Sequence, residues 1–270
     1  MTGYRKDLLY AAAPAFLYTI LINVVHTLFQ AAGVSDSGMV LQALSSAVSL
    51  LFFIWYAFRC GLFVRFRSRQ KSVYRYPASF CYVSAVVLCG VANNYIYMIL
   101  QSALGLSDTG YERVAQNFYQ QELLIEIAAL CVLGPLAEEI VYRGFVYQRL
   151  REKGSETLAA VCSALLFGVM HFNLVQCVYA FVLGILLAHI VNRTGSLLTA
   201  AAAHMAANLV SVLWTETDWL ELLNQTGLRQ YAAAILSVLF TGMFLSYGNQ
   251  MSRRSGQAKQ RPDNGEGNRE

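Results

Sequence analysis

The chain has 270 residues, of which 56% are hydrophobic and only 13% are charged, and its formal net charge is +4. A soluble domain carries about 25% charged residues, so this composition excludes an ordinary soluble enzyme, a disordered protein and a nucleic-acid-binding module. It predicts an integral membrane protein. The six cysteines form no CxxC pair and no cluster typical of a metal site, which argues against a disulfide framework or a redox role.

Eight apolar stretches are long enough to cross a membrane, because a helical span needs about 20 apolar residues. Strand-like alternation is absent, so we predict an all-α, polytopic membrane bundle of about eight transmembrane helices. Residues 1–248 are predicted to form one transmembrane domain, and the polar residues 249–270 a disordered cytoplasmic tail. The boundary between the fifth and sixth stretches is the least defined. The predicted spans are 8–31, 39–58, 77–104, 121–148, 156–173, 175–191, 196–214 and 229–248.

Basic residues predict the orientation of the bundle. If the amino terminus is cytoplasmic, most lysines and arginines fall on that side, and acidic residues concentrate in the opposite loops. This is the positive-inside bias for eight spans, which places both termini in the cytoplasm. The basic stretch 59–75 is interpreted mainly as this topology signal, with a contribution to anionic lipid binding. Because the chain is short and carries no organelle signal, we expect a bacterial plasma membrane.

The densest group of polar residues inside a predicted span lies at 134–144. A charge at the centre of a membrane helix costs about 2.5–3.5 kcal/mol, so such residues call for an explanation. Glu139 and Arg143 are four apart and can pair on one helix face, either for catalysis or simply to fix helix packing. Glu138 points about 100° away, so one carboxylate is predicted to be structural and the other to take up a proton. Pro135 is expected to break or kink the helix just before the pair.

Two further polar motifs lie in the fifth and seventh spans. His171 follows Phe167 by four residues, and His204 and Asn208 project from one helix face. Each histidine taken alone is typical of a hydrogen-bonded core residue. Together with Glu138, they place carboxylate, imidazole and amide groups on three helices, which supplies the base, the proton-sharing partner and the oxyanion donor of water activation. Counted from the ends of the spans, however, His171 lies deeper in the membrane than Glu138 and His204.

The same groups also meet the ligand count of a catalytic zinc site, which needs three protein ligands and an open position. The ligands would be Glu138, His171 and His204. No HExxH motif is present, so the zincin arrangement with both histidines on one helix is absent. From the sequence, a zinc enzyme and a metal-free glutamate mechanism both stay open.

Other polar residues in the spans are interpreted as structural. Asn23, His26 and His189 are expected to make hydrogen bonds between helices. Glu126, near the outer end of the fourth span, is expected to be solvated or to line a cavity.

The three motifs resemble those of the CAAX-protease and bacteriocin-processing family (CPBP, also called ABI) of intramembrane proteases. The family pattern is EExxxR, then FxxxH, then HxxxN on successive helices. In this chain the pattern corresponds to 138–143, 167–171 and 204–208, in the same order. The resemblance covers about residues 121–214, and it does not extend to the first three spans or the last one.

The resemblance implies a role for each of seven residues. Glu138 would be the general base that activates water, and His171 would share that water or its proton. His204 and Asn208 would stabilise the oxyanion. The remaining three would support them, as an ion pair beside the base and an aromatic wall of the pocket: Glu139, Arg143 and Phe167.

The resemblance also implies a helical bundle around a water-filled cavity, and an endopeptidase that cuts a peptide or membrane-protein substrate within the lipid bilayer. Eukaryotic members cut the C-terminal tripeptide from prenylated CAAX proteins, and bacterial members are associated with bacteriocin processing and self-immunity. Some members are non-catalytic scaffolds, so a scaffold or immunity protein of the same fold is the alternative. A proton-coupled transporter is disfavoured by the absence of internal repeats. No nucleic-acid partner is expected, and the sequence defines neither the substrate nor the oligomeric state.

Overall fold

The computed structural model describes residues 2–69, 75–104, 122–216 and 227–258. All regular structure within these ranges is helical, which confirms the predicted all-α class. Two wide-turn π-helical segments connect three short helices in the middle of the chain: π1 (Ile127–Leu133) and π2 (Glu139–Val146). The α-helices are α1 (Thr2–Ala31), α2 (Gly38–Arg59), α3 (Leu62–Arg69), α4 (Arg75–Leu104), α5 (Leu123–Glu126), α6 (Gly134–Glu138), α7 (Tyr147–Lys153), α8 (Glu156–Val169), α9 (Leu174–Thr194), α10 (Leu197–Glu216) and α11 (Leu228–Ala258).

Six helices in the described part of the chain are long and apolar enough to cross a membrane, so the protein is a multi-pass integral membrane protein. They correspond to six of the eight predicted spans, and the predicted count is therefore approximate. The remaining two predicted spans are a helix interrupted by wide turns and a helix that is too short. The six membrane segments are Leu9–Ala31, Gly38–Arg59, Tyr76–Leu100, Leu174–Thr194, Leu197–Glu216 and Leu228–Arg254.

The predicted span at 121–148 is not one regular helix. Pro135 has no amide hydrogen and its ring crowds the preceding turn, and the chain opens into π1 before it and π2 after it. Helices α5, α6 and α7 with the two π segments therefore form one interrupted helix. Residue 121 lies outside the described residues.

The predicted span at 156–173 also ends earlier than expected. Helix α8 has only 14 residues and stops at Val169. Helix α9 begins after Asn173, whose side-chain oxygen accepts hydrogen bonds from the backbone N–H groups of Val175 and Gln176. His171 consequently lies in a tight turn between two helices, and not inside a helix as predicted.

The interrupted helix packs against α1, α2, α8 and α10. Every residue of π2 is buried, because neighbouring helices approach it closely. Helix α10 can do so because its alanine run presents Ala200, Ala203 and Ala207, all at most 1% exposed. Helix α4 packs along α10 and α11. This packing brings the polar motifs of the interrupted helix, of α8 with its following turn, and of α10 into one region.

Helix α11 continues to Ala258, past residue 248 where the predicted transmembrane domain ends. Residues 249–258 are therefore helical, although we assigned them to a disordered tail. Side-chain hydrogen bonds help hold this extension, because the Tyr82 hydroxyl donates to Asn249 Oδ1 over 2.9 Å and lies 3.2 Å from Ser252 Oγ. The rest of the predicted tail, 259–270, lies outside the described residues.

Candidate active site

The centre of the site is a buried ion pair on π2. The Arg143 guanidinium donates from Nη1 to Glu139 Oε1 over 2.7 Å, and both side chains are at most 1% exposed. This is the pairing that the spacing of four residues predicts. The Arg143 guanidinium carbon also lies 4.5 Å from the centroid of the Phe167 ring, a cation–π contact with α8. The pair therefore connects the interrupted helix to α8 without exposing a charge to lipid.

His204 of α10 lies beside both carboxylates. Its Nδ1 is 2.9 Å from Glu139 Oε1, and its Nε2 is 3.8 Å from Glu138 Oε2. An ionised carboxylate only accepts hydrogen bonds, so Nδ1 carries a proton and donates it to Glu139. This contact fixes the orientation of the imidazole and directs Nε2 toward Glu138.

Glu138 differs from its neighbour in exposure. Its side chain is 20% exposed, whereas the Glu139 side chain is fully buried. The two residues are adjacent and point in different directions from the helix, and the helical geometry also changes between them, because Glu138 ends α6 and Glu139 begins π2. Wide turns of this kind occur frequently at functional sites. The structure thus separates one accessible carboxylate from one enclosed carboxylate.

His171 occupies the turn between α8 and α9. Its Nδ1 lies 2.8 Å from the backbone oxygen of Phe167. A carbonyl oxygen only accepts, so Nδ1 donates this hydrogen bond and Nε2 is left for another partner. The next residue, Phe172, has φ +54°, a left-handed conformation that is rare for a bulky side chain and is typical of functional turns.

The ring of Phe167 contacts the rings of both histidines. Its centroid lies 4.9 Å from the His171 ring and 5.7 Å from the His204 ring, both edge-to-face. No hydrogen bond or ion pair links His171 directly to Glu138 or His204 within the described residues. His171, in the turn after α8, therefore contacts the same aromatic ring as His204.

Asn208 lies one turn beyond His204 on α10 and contacts a different part of the interrupted helix. Its Nδ2 donates to the backbone oxygen of Leu130 in π1 over 2.8 Å. The structure thus places Asn208 beside the backbone that precedes the two glutamates, and not in contact with either carboxylate.

The backbone of π2 is fixed by contacts that the motifs do not reveal. The Ser163 hydroxyl of α8 donates to the Tyr142 carbonyl over 3.0 Å. A Cβ on Gly184 of α9 would lie 2.8 Å from Ala164 Cβ and 3.3 Å from Arg143 Nη2. Only glycine leaves room there for the guanidinium. The sequence signal for Gly184 is weak, because a glycine in an apolar helix has many explanations.

The proposed zinc ligands were tested against this geometry. Within the described residues, no group of three or more His, Cys, Asp or Glu side chains is arranged to hold a metal ion. His204 uses Nδ1 for Glu139, and the Phe167 ring stands between the two imidazoles. Glu138, His171 and His204 therefore do not fit a zinc site in this arrangement.

Two expectations for other polar residues have different outcomes. His189 contacts another helix as predicted, since its Nε2 lies 2.9 Å from Asn249 Oδ1 of α11. Glu126 is not solvated, because its side chain is fully buried at the end of α5. Burial of this residue depends on packing against α2, which the sequence of its own helix does not reveal.

Comparisons with known proteins agree with the motif pattern. Residues 120–210 match the family model described as type II CAAX prenyl endopeptidase Rce1-like. This range contains all seven residues of the three motifs, and the match confirms the predicted resemblance to the CAAX-protease and bacteriocin-processing family.

A curated relative points the same way. The Bacillus subtilis (strain 168) protein named "Putative membrane peptidase YdiL" is 23% identical over 124 residues, or 46% of this chain and 49% of the relative. The chain therefore spans about half the length of the curated relative it matches. No solved structure matches the chain at a significant level.

Proposed function

We propose that this chain, whose residues 120–210 form an Rce1-like region, is an intramembrane endopeptidase that hydrolyses a peptide bond with water activated by Glu138. The observation that carries the proposal is the contrast between the two glutamates. Glu138 is partly exposed, whereas its neighbour Glu139 is enclosed with Arg143 and His204. Glu139 is occupied by its two partners, whereas Glu138 stays accessible, as a general base that must reach water has to be.

The balance of charges among four residues of the site supports the proposed mechanism. Glu138 and Glu139 carry two negative charges, and Arg143 compensates one of them. In the reacting form that we propose, His204 carries a proton on both ring nitrogens, which would compensate the other charge and leave the group neutral as a whole. In that state His204 Nε2–H is a donor directed toward the position of Glu138, where a developing negative charge could be stabilised.

Each step of the proposed hydrolysis can be assigned to a residue of the site. Glu138 takes a proton from water as the water oxygen attacks the carbonyl carbon of the substrate, which forms a tetrahedral oxyanion. His204 Nε2–H donates a hydrogen bond to that oxyanion, and His171 Nε2 accepts a hydrogen bond from the O–H that remains on the attacking oxygen. Glu138 then passes its proton to the leaving nitrogen as the C–N bond breaks, which regenerates the carboxylate and leaves a new carboxyl and a new amine terminus.

The enclosed residues keep the His204 imidazole in position beside the base. Glu139 orients His204 through Nδ1, Arg143 compensates Glu139, and the Phe167 ring contacts Arg143 and His204. This arrangement limits the freedom of the imidazole near the reacting atoms, which is how preorganised sites lower a barrier.

The substrate class follows the family. We propose a peptide or a membrane protein whose cleavage site enters the bilayer, with CAAX-like cleavage, bacteriocin processing or self-immunity as the biological contexts. The protein is proposed to lie in a bacterial plasma membrane with both termini in the cytoplasm, as the distribution of basic residues predicts.

Profiling of peptide termini tests the proposal. Membranes that contain equal amounts of wild type, Glu138→Gln or Glu152→Gln would be compared, where Glu152 is an exposed carboxylate on α7 that pairs with Arg65. We expect new termini with wild type and Glu152→Gln and none with Glu138→Gln. Termini of equal abundance with Glu138→Gln would contradict the role of Glu138. A biological phenotype that Glu138→Gln fully retains would favour the non-catalytic scaffold.

A further inference from the structure

The backbone of π1 contains a carbonyl group that the helix itself does not pair. In this wide-turn segment the N–H of Gly134 donates to the oxygen of Ala129, five residues earlier. The next bond in the same register would join the N–H of residue 135 to the oxygen of Leu130. Residue 135 is proline and has no N–H. The register therefore leaves the Leu130 oxygen without a backbone donor.

A side chain from another helix occupies that acceptor. Asn208 Nδ2 of α10 donates to the Leu130 oxygen over 2.8 Å, across 78 residues of sequence. Lipid offers no hydrogen-bond donor, so a carbonyl at membrane depth needs a partner from the protein. The amide of Asn208 supplies the hydrogen that Pro135 lacks.

The same helix also holds the other end of α6. His204, four residues before Asn208, contacts Glu139 directly after α6. Asn208 contacts Leu130 shortly before α6. Two side chains of α10 therefore hold the five-residue helix that ends in Glu138 at both of its ends.

We propose that Asn208 is a positioning residue, which binds the carbonyl orphaned by Pro135 and so fixes the path of α6 and the location of Glu138. This role is separate from the oxyanion role that the family resemblance implies, because it uses the Nδ2 hydrogen that is donated to the backbone of π1. The inference rests on the proposed function for its kinetic test, and its stability test is independent of any activity.

The kinetic test restores the missing hydrogen. Four forms of the protein would be compared in liposomes: wild type, Asn208→Ala, Pro135→Ala and the double variant. The quantity measured would be the rate at which each form cleaves a substrate identified by the profiling of termini. Misplacement of a base by 1 Å lowers the rate on the order of 100-fold, so we expect such a loss of kcat, with little change in KM, for Asn208→Ala. In the double variant residue 135 supplies an N–H to Leu130, and activity should return close to that of Pro135→Ala. Activity as low as that of Asn208→Ala would assign Asn208 to the oxyanion and overturn the proposal.

A stability cycle tests the contact itself. The same substitutions would be made in the Glu138→Gln background, and thermal unfolding in liposomes would be followed for each. Asn208→Ala should lower the unfolding temperature when residue 135 is proline and have a much smaller effect when it is alanine. Equal shifts in both backgrounds would overturn the inference, whether or not the protein is a peptidase. An Asn192→Ala variant, which removes an exposed amide paired with Glu156, serves as the matched control.

Discussion

The imidazole of His204 lies between two carboxylates at unequal distances, with Nδ1 2.9 Å from Glu139 Oε1 and Nε2 3.8 Å from Glu138 Oε2. The shorter contact is fully enclosed and is shared with Arg143. The longer contact is to Glu138, which is the partly exposed carboxylate of the two. This asymmetry divides the motif into a supporting acid and a reacting acid, and it leads to separate expectations for stability and for catalysis.

Removal of the enclosed carboxylate should destabilise the protein. In Glu139→Gln, Arg143 keeps a buried charge without its partner, and breaking a buried ion pair costs about 3–5 kcal/mol. In Glu138→Gln, the free energy of unfolding should change by less than about 1 kcal/mol, because the side chain is partly exposed. Denaturant titrations of both variants in the same detergent provide the comparison. Equal losses would show that the two carboxylates are not divided in this way.

The guanidinium of Arg143 should not be replaceable by an ammonium group. Arg143→Lys keeps the charge but loses the planar contact over the Phe167 ring, and a desolvated cation–π contact is worth about 2 kcal/mol. We expect a loss of that size in the free energy of unfolding, together with weaker cleavage. Arg253→Lys, at an exposed position on α11, is the matched control and should change neither quantity. A fully stable and active Arg143→Lys would mean that charge alone is sufficient.

The substitution Gly184→Ala on α9 should disturb the Glu139–Arg143 ion pair by direct contact. The added Cβ would lie 2.8 Å from Ala164 Cβ and 3.3 Å from Arg143 Nη2. Overpacking of this kind costs about 1–3 kcal/mol. Gly242→Ala on α11 is the control, since its Cβ would meet nothing within 4 Å. Thermal unfolding should separate the two variants, and the prediction fails if both behave alike.

The turn that carries His171 should tolerate glycine and reject proline. Phe172 has φ +54° and a side chain that is 79% exposed, so Phe172→Gly removes conformational strain and little packing. Proline requires φ near −65°, so Phe172→Pro must rebuild the turn and displace His171. We expect near-normal cleavage with Gly and a loss on the order of 100-fold with Pro. Similar activity of both variants would show that this backbone conformation is not needed.

The sequence predicts the ion pair because it depends on spacing alone. Glu139 and Arg143 share a helix face whether the turn is regular or somewhat wider, and the structure joins them at 2.7 Å. The all-α class and six of the spans can also be predicted, because they depend on the length of the apolar stretches. These features need only local information along the chain.

Other features depend on packing between distant segments. Pro135 indicates a break, but the wide turns on both sides of it depend on side chains such as Ser163, which binds the Tyr142 carbonyl. The burial of Glu126 depends on the neighbouring α2. The sequence predicts His171 within a span because residues 156–173 are mostly apolar, whereas the cap formed by Asn173 starts a new helix. Such contacts cannot be read from a single helix.

The central claim is that Glu138 activates water for hydrolysis of a peptide bond. Its most direct test is cleavage in ¹⁸O-labelled water, with the protein in liposomes and a substrate identified by the profiling of termini. The account predicts that wild type introduces one ¹⁸O atom into the new carboxyl terminus, and that Glu138→Gln yields neither cleavage nor label while remaining folded. Labelled product formed at the wild-type rate by Glu138→Gln would contradict the account.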